Sequence, residues 1–310
     1  MAESYSEKMN KHQRLAFITV VLTIGLGVGL TASLSDGSSK VGGVPVVVLC
    51  AGAAFAINWL AFIPSYLKRT EHYFDLVGSL THLTLILVAL VGSTDLDLRA
   101  IVASILVGVW AARLGSFLFS RARKMGGDGR FDTIKHHPGT FFSWWSLQAL
   151  WVLVTGSCSL AVITSVERQS FDWFAGVGVL LWGAGFLVEI VADRQKTKFR
   201  SKSENSDAFM QSGLWAWSRH PNYFGEILLW IGIAVLAIPL LSGWRWVALI
   251  SPIFVFVLLT RISGIPILER RANERWGDDP IYREYLRSTP ILLLRKPKAK
   301  IKISKQKTGE

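Results

Sequence analysis

The chain carries its apolar residues in blocks, and each block is about as long as a bilayer core is thick. A helix rising about 1.5 Å per residue needs about 20 mostly apolar residues to cross the hydrocarbon. Eight blocks meet that condition, at roughly 15–34, 44–64, 73–92, 99–120, 141–164, 171–192, 224–241 and 244–260. Boundaries of this kind are compatible with seven to ten spans. Lipid offers no partner to backbone N–H and C=O groups, so each span must satisfy its own, as a helix does. The expected fold is all-α: a polytopic integral membrane helix bundle of about eight transmembrane helices. Residues 1–295 form a single membrane domain, and 296–310 form a basic disordered tail, Lys-rich and nearly without aromatics.

Charge placement tests this layout. With the N-terminus set in the cytoplasm, almost all of the 34 Lys and Arg residues fall on the cytoplasmic side. The exceptions are Lys40, Arg99, Arg168 and Arg245 on the opposite side and Arg113 inside the fourth span. Such asymmetry is what the positive-inside rule predicts, with both termini cytoplasmic. The net charge of +12 then belongs to loops beside an anionic leaflet, and no nucleic acid is needed to explain it. The first block follows Lys8, Lys11 and Arg14 and reads as a retained span, since removing it would upset the charge alternation. Cys50 and Cys158 both lie within spans, as free thiols. Gly25, Gly27 and Gly29 read as a helix-packing face.

Ionisable groups near or inside a membrane are costly unless they meet each other, water or a ligand, so they mark where chemistry sits. Two stretches stand out. The sixth span exits through Glu189, Asp193, Lys196 and Arg200, spaced so that a continuing helix places all four on one face. Two acids followed by two bases can pair among themselves, or can hold a dinucleotide between them. The second stretch is Gly213-Leu-Trp-Ala-Trp-Ser-Arg-His-Pro-Asn-Tyr-Phe-Gly-Glu226, which enters the seventh span. Pro221 suits the first turn of a helix, whose free N–H groups, with Arg219 and His220 beside them, favour anions. Asn222 and Glu226, four apart, share a face, and Trp215 and Trp217 read as interfacial anchors. Further polar groups are Tyr73 and Asp75 at the third span, Asn58 and His82 within spans, and Arg261 at the end of the eighth. No Cys/His cluster has zinc spacing, so no metal is expected.

These residues resemble the steroid 5α-reductase-like membrane reductases, and most closely their DUF1295 branch. The resemblance covers roughly 100–295. Glu189-x-x-x-Asp193 through Arg200 is similar to the reductases' Asn-x-x-x-Asp-x-x-x-x-x-x-Arg. Gln195-Lys-x-x-Phe-Arg200 is similar to the sterol C14- and C7-reductase element, and Ser-Arg-His-Pro-Asn-Tyr-x-Gly-Glu226 to the next one. The resemblance implies NADPH as cofactor and reduction of an activated C=C bond, a CH–CH group, in a steroid or other lipid substrate. It implies that Glu189, Asp193, Lys196, Arg200, Arg219, His220, Asn222, Arg261 and Arg113 line the cofactor. Arg121, Arg123 and Arg130 would meet its phosphates. Glu226 would face the nicotinamide. Where the relatives polarise the substrate with a Tyr, this chain has Trp110. Tyr223 or Tyr73 is the expected acid in its place, with Asp75 and His82 as further candidates. The endoplasmic reticulum is the expected compartment in a eukaryote and the inner membrane in a bacterium.

Two other readings remain. Isoprenylcysteine-type membrane methyltransferases, which use S-adenosylmethionine, share the Arg-His-Pro-x-Tyr-x-Gly core. They follow it with a Glu-Glu pair where this chain has Glu269-Arg270. A non-catalytic lipid-binding membrane protein on the same fold is the third.

Overall fold

A computed structural model describes residues 2–125 and 131–297, with side chains described for 12–120 and 131–297. The helices are α1 (Ala2–Ser35), α2 (Val46–Leu67), α3 (Phe74–Gly92), α4 (Leu98–Met125), α5 (Pro138–Ile163), α6 (Trp173–Arg200), α7 (Pro221–Ala237), α8 (Ile250–Val257), α9 (Ile265–Trp276) and α10 (Pro280–Ser288). A two-residue hairpin, β1 (Lys40–Val41) and β2 (Val44–Pro45), is the only sheet among the described residues. Eight helical segments are long and apolar enough to cross a membrane. The protein is therefore an all-α, multi-pass membrane protein, as the apolar blocks predict.

The chain divides into two compact units, one of residues 1–182 and 230–254, the other of 183–229 and 255–310. In the first, α5 is the centre. Its apolar stretch is 83% buried, whereas those of α1, α2 and α4 are about a third buried or less. A helix that is apolar on all sides belongs inside a bundle. Ser, Gly and Cys between Gly156 and Ser159 let neighbouring backbones come close. Ser157 Oγ donates to the Ala248 carbonyl at 2.8 Å, and Ser251 Oγ to that of Thr155 at 2.5 Å.

Polar side chains kept inside this unit bond to one another. Gln148 Nε2 donates to Asn58 Oδ1 at 3.0 Å and to the Phe74 carbonyl at 2.9 Å. Asn58 Nδ2 donates to the Ala54 carbonyl. Arg99 is 0% exposed and reaches the carbonyls of Leu236 and Ser170 and the carboxylate of Asp172, all within 2.8 Å. Arg245, equally enclosed, donates to Ser165 Oγ and the Ala161 carbonyl. Both arginines neutralise their burial with carbonyl oxygens at helix C-terminal ends, where the helix dipole is negative.

The second unit begins halfway along α6 and is built around the crossing of α6 with α7. A Cβ added at Gly185 would lie 2.5 Å from the Gly225 carbonyl oxygen, and one at Gly225 would lie 2.7 Å from the Glu189 nitrogen. The two backbones touch, and only glycine permits that. The last span departs from a single helix over 244–260. It runs as a 3-10 turn from Gly243, then α8, then a π turn at Leu258–Ile262, and restarts as α9 after Gly264. Gly264 breaks the helix, and Pro266 opens the new one in a first turn that needs no donor there. Of the three glycines expected to pack in α1, only Gly27 does, against Phe55; nothing lies within 4 Å of a Cβ at Gly25 or Gly29.

Candidate functional site

The site is assembled in the second unit from α6, the loop that follows it, the start of α7, α9 and the C-terminal segment. α6 continues to Arg200, so Glu189, Asp193, Lys196 and Arg200 do share a face. Glu189 and Asp193 are buried, at 3% and 9% exposure. The loop folds back on this helix for identifiable reasons. Gly213 takes φ +62°, and a Cβ there would lie 2.6 Å from Gln195 Oε1, so the position needs glycine twice over. The next N–H, of Leu214, donates to that same Gln195 oxygen at 2.9 Å. Trp215 Nε1 then donates to the Ala192 carbonyl at 3.0 Å, and the Lys196 ammonium lies 4.5 Å from the Trp215 ring centre. Trp215 is thus a buried brace between loop and helix, not the interfacial anchor its position in sequence suggests. A buried indole whose one donor is satisfied inside the protein has no reason to sit at the lipid surface.

The start of α7 is held from the other side by the C-terminal segment. The Arg219 N–H donates to the Pro290 carbonyl at 2.9 Å, and the Arg295 N–H to the Trp217 carbonyl at 3.0 Å. Ser218 Oγ accepts from the His220 N–H at 3.1 Å, closing a turn just before α7, and donates to the Leu292 carbonyl at 2.8 Å. Tyr285, from α10, donates its hydroxyl to the Trp215 carbonyl at 2.8 Å. Burial pushes the Tyr285 phenol above its ordinary range, so it stays a donor.

Into this frame the motif side chains project. Asn222 Nδ2 donates to Asp193 Oδ1 at 3.3 Å, joining the two motifs directly. Arg219 and His220 converge on Glu269 of α9: Arg219 to one carboxylate oxygen at 2.6 Å, His220 Nε2 to the other at 2.8 Å. Burial lowers the His220 pKa from its ordinary 6.5, and the bond to Glu269 offsets this only in part. The ring is neutral at pH 7, with its proton on Nε2 facing the carboxylate. Its Nδ1 and the Arg219 Nε are buried with no hydrogen-bond partner. Tyr223 stacks on the His220 ring, centres 5.6 Å apart. Arg200 lies 5.7 Å from the Trp276 ring. Glu226 is half-buried one turn after Asn222.

The other expected residues come from other elements. Arg261 is exposed in the π turn of the same unit. Tyr73 and Arg113 belong to the first unit. Tyr73 is 53% exposed and stacks on Phe119, and Arg113 lies over Phe117 at 5.7 Å. Trp110 is 1% exposed. The side chains of the phosphate-directed Arg121 and Arg123, and the whole of Arg130 and of the tail from 298, lie outside what is described. Glu269 is the residue that sequence reasoning did not place. Its signal was an acid directly after Ile265-Pro-Ile-Leu268, where an apolar run ends. A cavity of about 280 Å³, lined by Gln195, Lys198, Lys202 and Gly213 among others, contains none of the motif cations.

The comparisons with known proteins agree with the family resemblance. Over 111 residues the chain is 32% identical to a steroid 5-alpha-reductase, DET2, of Solanum lycopersicum, covering 35% of this chain and 38% of that protein. It is 29% identical over 120 residues to 3-oxo-5-alpha-steroid 4-dehydrogenase 1 of Bos taurus, covering 37% and 43%. An uncharacterized protein of Schizosaccharomyces pombe matches at 25% over 156 residues, covering 43% and 42%. The matches thus span well under half of those relatives' lengths. No solved structure matches the chain. Residues 61–289 match the family described as "Protein of unknown function (DUF1295)", and with about three quarters of its length inside that match the chain belongs to the DUF1295 family, with similarity to the steroid 5-alpha-reductases.

Proposed function

We propose that this chain is a membrane oxidoreductase that binds NADPH in the second unit and reduces an activated C=C bond of a steroid or other lipid. One observation carries the reading. The two separate motifs meet, through Asn222 on Asp193, on a backbone contact that excludes every side chain but glycine. The donor set fits a multiply phosphorylated dinucleotide. Lys196, Arg200 and Arg219 offer cations, and Asp193 and Asn222 offer hydrogen bonds for ribose or amide groups. The orphaned Arg219 Nε and His220 Nδ1 are a buried donor and a buried acceptor that a nucleotide can satisfy. Bound there, NADPH supplies a hydride. Arg261 and Glu189 of the same unit complete its lining on this reading, and the cofactor half of the chain is about 100–295.

The protein's own part is to orient the cofactor, exclude water and polarise the acceptor. Tyr223, fixed by its stack on His220, is the acid we assign. Glu226, one turn deeper into α7, faces the reacting end. Hydrogen bonds to a developing enolate count for more in a dry site than in water. The bundle sits with the second unit's motif residues toward the cytoplasm and both termini there. The compartment is the endoplasmic reticulum in a eukaryote or the inner membrane in a bacterium.

A methyltransferase reading has one observation in its favour. Glu269 sits on Arg219 and His220 and lowers the net positive charge at the motif, which suits S-adenosylmethionine better than phosphates. Thermal unfolding of the detergent-solubilised protein, titrated with NADPH and with S-adenosylmethionine, separates the two. Stabilisation by NADPH alone is expected. Stabilisation by S-adenosylmethionine alone rejects the reductase, and none with either leaves a lipid-binding protein without catalysis.

A further inference from the structure

The far side of α6 carries basic residues that the proposed cofactor face does not use. Lys198 stands two residues from Lys196 and two from Arg200. At about 100° per residue it points about 160° away from each, almost opposite the face that holds them. On that side lies the cavity of about 280 Å³, lined by Gln195, Lys198, Phe199 and Lys202, and by Met210 and Ser212 of the loop that folds back. The cavity belongs to the folded frame. The Leu214–Gln195 bond and the close approach of Gly213 hold one rim against α6. Asn205 Nδ2, donating to the Phe199 carbonyl at 2.9 Å, holds the other.

The polar lining is made of donors. The Lys198 ammonium meets no acceptor among the described residues. Gln195 gives its oxygen to the Leu214 N–H, which leaves its NH2 group as a donor. The acid nearest in sequence, Glu204, is held by Lys202 at 3.2 Å, and both side chains are more than half exposed. Such a pair is worth little, so Lys202 can turn to a better acceptor. Two ammonium groups, an amide and the Ser212 hydroxyl suit an anion with several oxygens. Half-buried Phe199 and Met210 add an apolar edge that a bare inorganic anion does not need.

Depth identifies the source of that anion. The span of α6 begins at Trp173. About 20 residues at about 1.5 Å each cross the hydrocarbon and bring its end to the neighbourhood of Asp193. Lys198 stands about 7 Å further on, within a headgroup layer about 5–8 Å deep. We propose that this cavity binds the phosphate headgroup of an anionic phospholipid. Lys198 and Lys202 take the phosphate oxygens, and Phe199 and Met210 lie against the glycerol and the first acyl carbons. The loop it braces leads into the Gly213–Glu226 stretch, so a bound headgroup ties that stretch to the membrane surface. The site goes beyond the reductase reading and does not depend on it.

The test uses the full chain in detergent and reads thermal unfolding during titration with dioctanoyl phosphatidylglycerol, dioctanoyl phosphatidylcholine or glycerol 3-phosphate. Wild type is expected to be stabilised by the phosphatidylglycerol at the lowest concentration. Lys198→Gln should bind it about fivefold more weakly, and Lys198→Gln with Lys202→Gln about 25-fold, the scale of one and two lysines at an anionic surface. Lys198→Arg keeps the affinity. So does Lys68→Gln, which removes an exposed lysine at the end of α2. Equal response to the two lipids, or undiminished binding in the double variant, overturns the proposal. An equal loss in Lys68→Gln overturns it too, by showing only general attraction to charge. Glycerol 3-phosphate binding as tightly as the lipid would make the ligand a soluble phosphate. Displacement of the lipid by NADPH would make the cavity part of the cofactor site; either result contradicts the assignment. The wild-type comparisons stand even if a variant fails to fold.

Discussion

Replacing Gly225 by Ala tests the crossing on which the candidate site is built. The new Cβ would lie 2.5 Å from the Gly185 carbonyl oxygen and 2.7 Å from the Glu189 nitrogen. Carbon and carbonyl oxygen come no closer than about 3.3 Å without repulsion, so α7 must retreat from α6 by about 1 Å. Both obstacles are backbone atoms of a helix, which cannot swing aside as a side chain can. Overpacking of this kind costs about 1–3 kcal/mol. Alanine returns up to about 1 kcal/mol through its better helix propensity, leaving a net loss of up to about 2 kcal/mol. The same retreat stretches the Asn222–Asp193 bond, already 3.3 Å, past the distance at which it counts. Thermal unfolding in detergent reads the first effect and NADPH titration the second. Gly108→Ala is the control, since nothing lies within 4 Å of a Cβ there and propensity alone predicts unchanged or higher stability. A Gly225→Ala protein as stable as wild type, with unchanged NADPH affinity, refutes the argument.

Other substitutions probe the supports around the site. Glu269→Ala removes the shared acceptor of Arg219 and His220, both largely buried; a loss of about 2 kcal/mol is expected in thermal unfolding, with Glu269→Gln milder. Because burial holds the His220 pKa below 6.5, the unfolded chain takes up a proton first as pH falls. The stability of neutral His220 is fully present above 6.5 and is lost below it, so wild type should lose stability between about pH 7 and pH 5 more steeply than His220→Gln. Equal slopes for the two proteins would count against the neutral ring. Arg99→Met strands the partly exposed Asp172 and frees two carbonyls, and a loss of about 2–4 kcal/mol is expected; full stability would show the buried bridge to be idle.

The spans were legible because bilayer thickness fixes their length, and α6 was legible down to one face because four charges kept helical spacing beyond the membrane. Trp215 was misread because sequence shows an indole near a span but not the Ala192 carbonyl that receives its proton. Glu269 reaches Arg219 across fifty residues of chain, and a lone acid after an apolar run does not announce its partner. The π turn at Leu258–Ile262 overlaps the end of an apolar block, and hydropathy does not register it. Apart from the π turn, each of these misses is a long-range contact, where periodicity carries no information.

The central claim is that the face ending in Arg200 holds NADPH. The NADPH dissociation constant of the purified full chain, compared with that of Arg200→Ala, tests it most directly. A charge-assisted contact to phosphate is worth about 1.5–3 kcal/mol, so the variant should bind about tenfold or more weakly while unfolding near the wild-type temperature. An Arg200→Ala protein that binds NADPH as tightly as wild type would contradict the account.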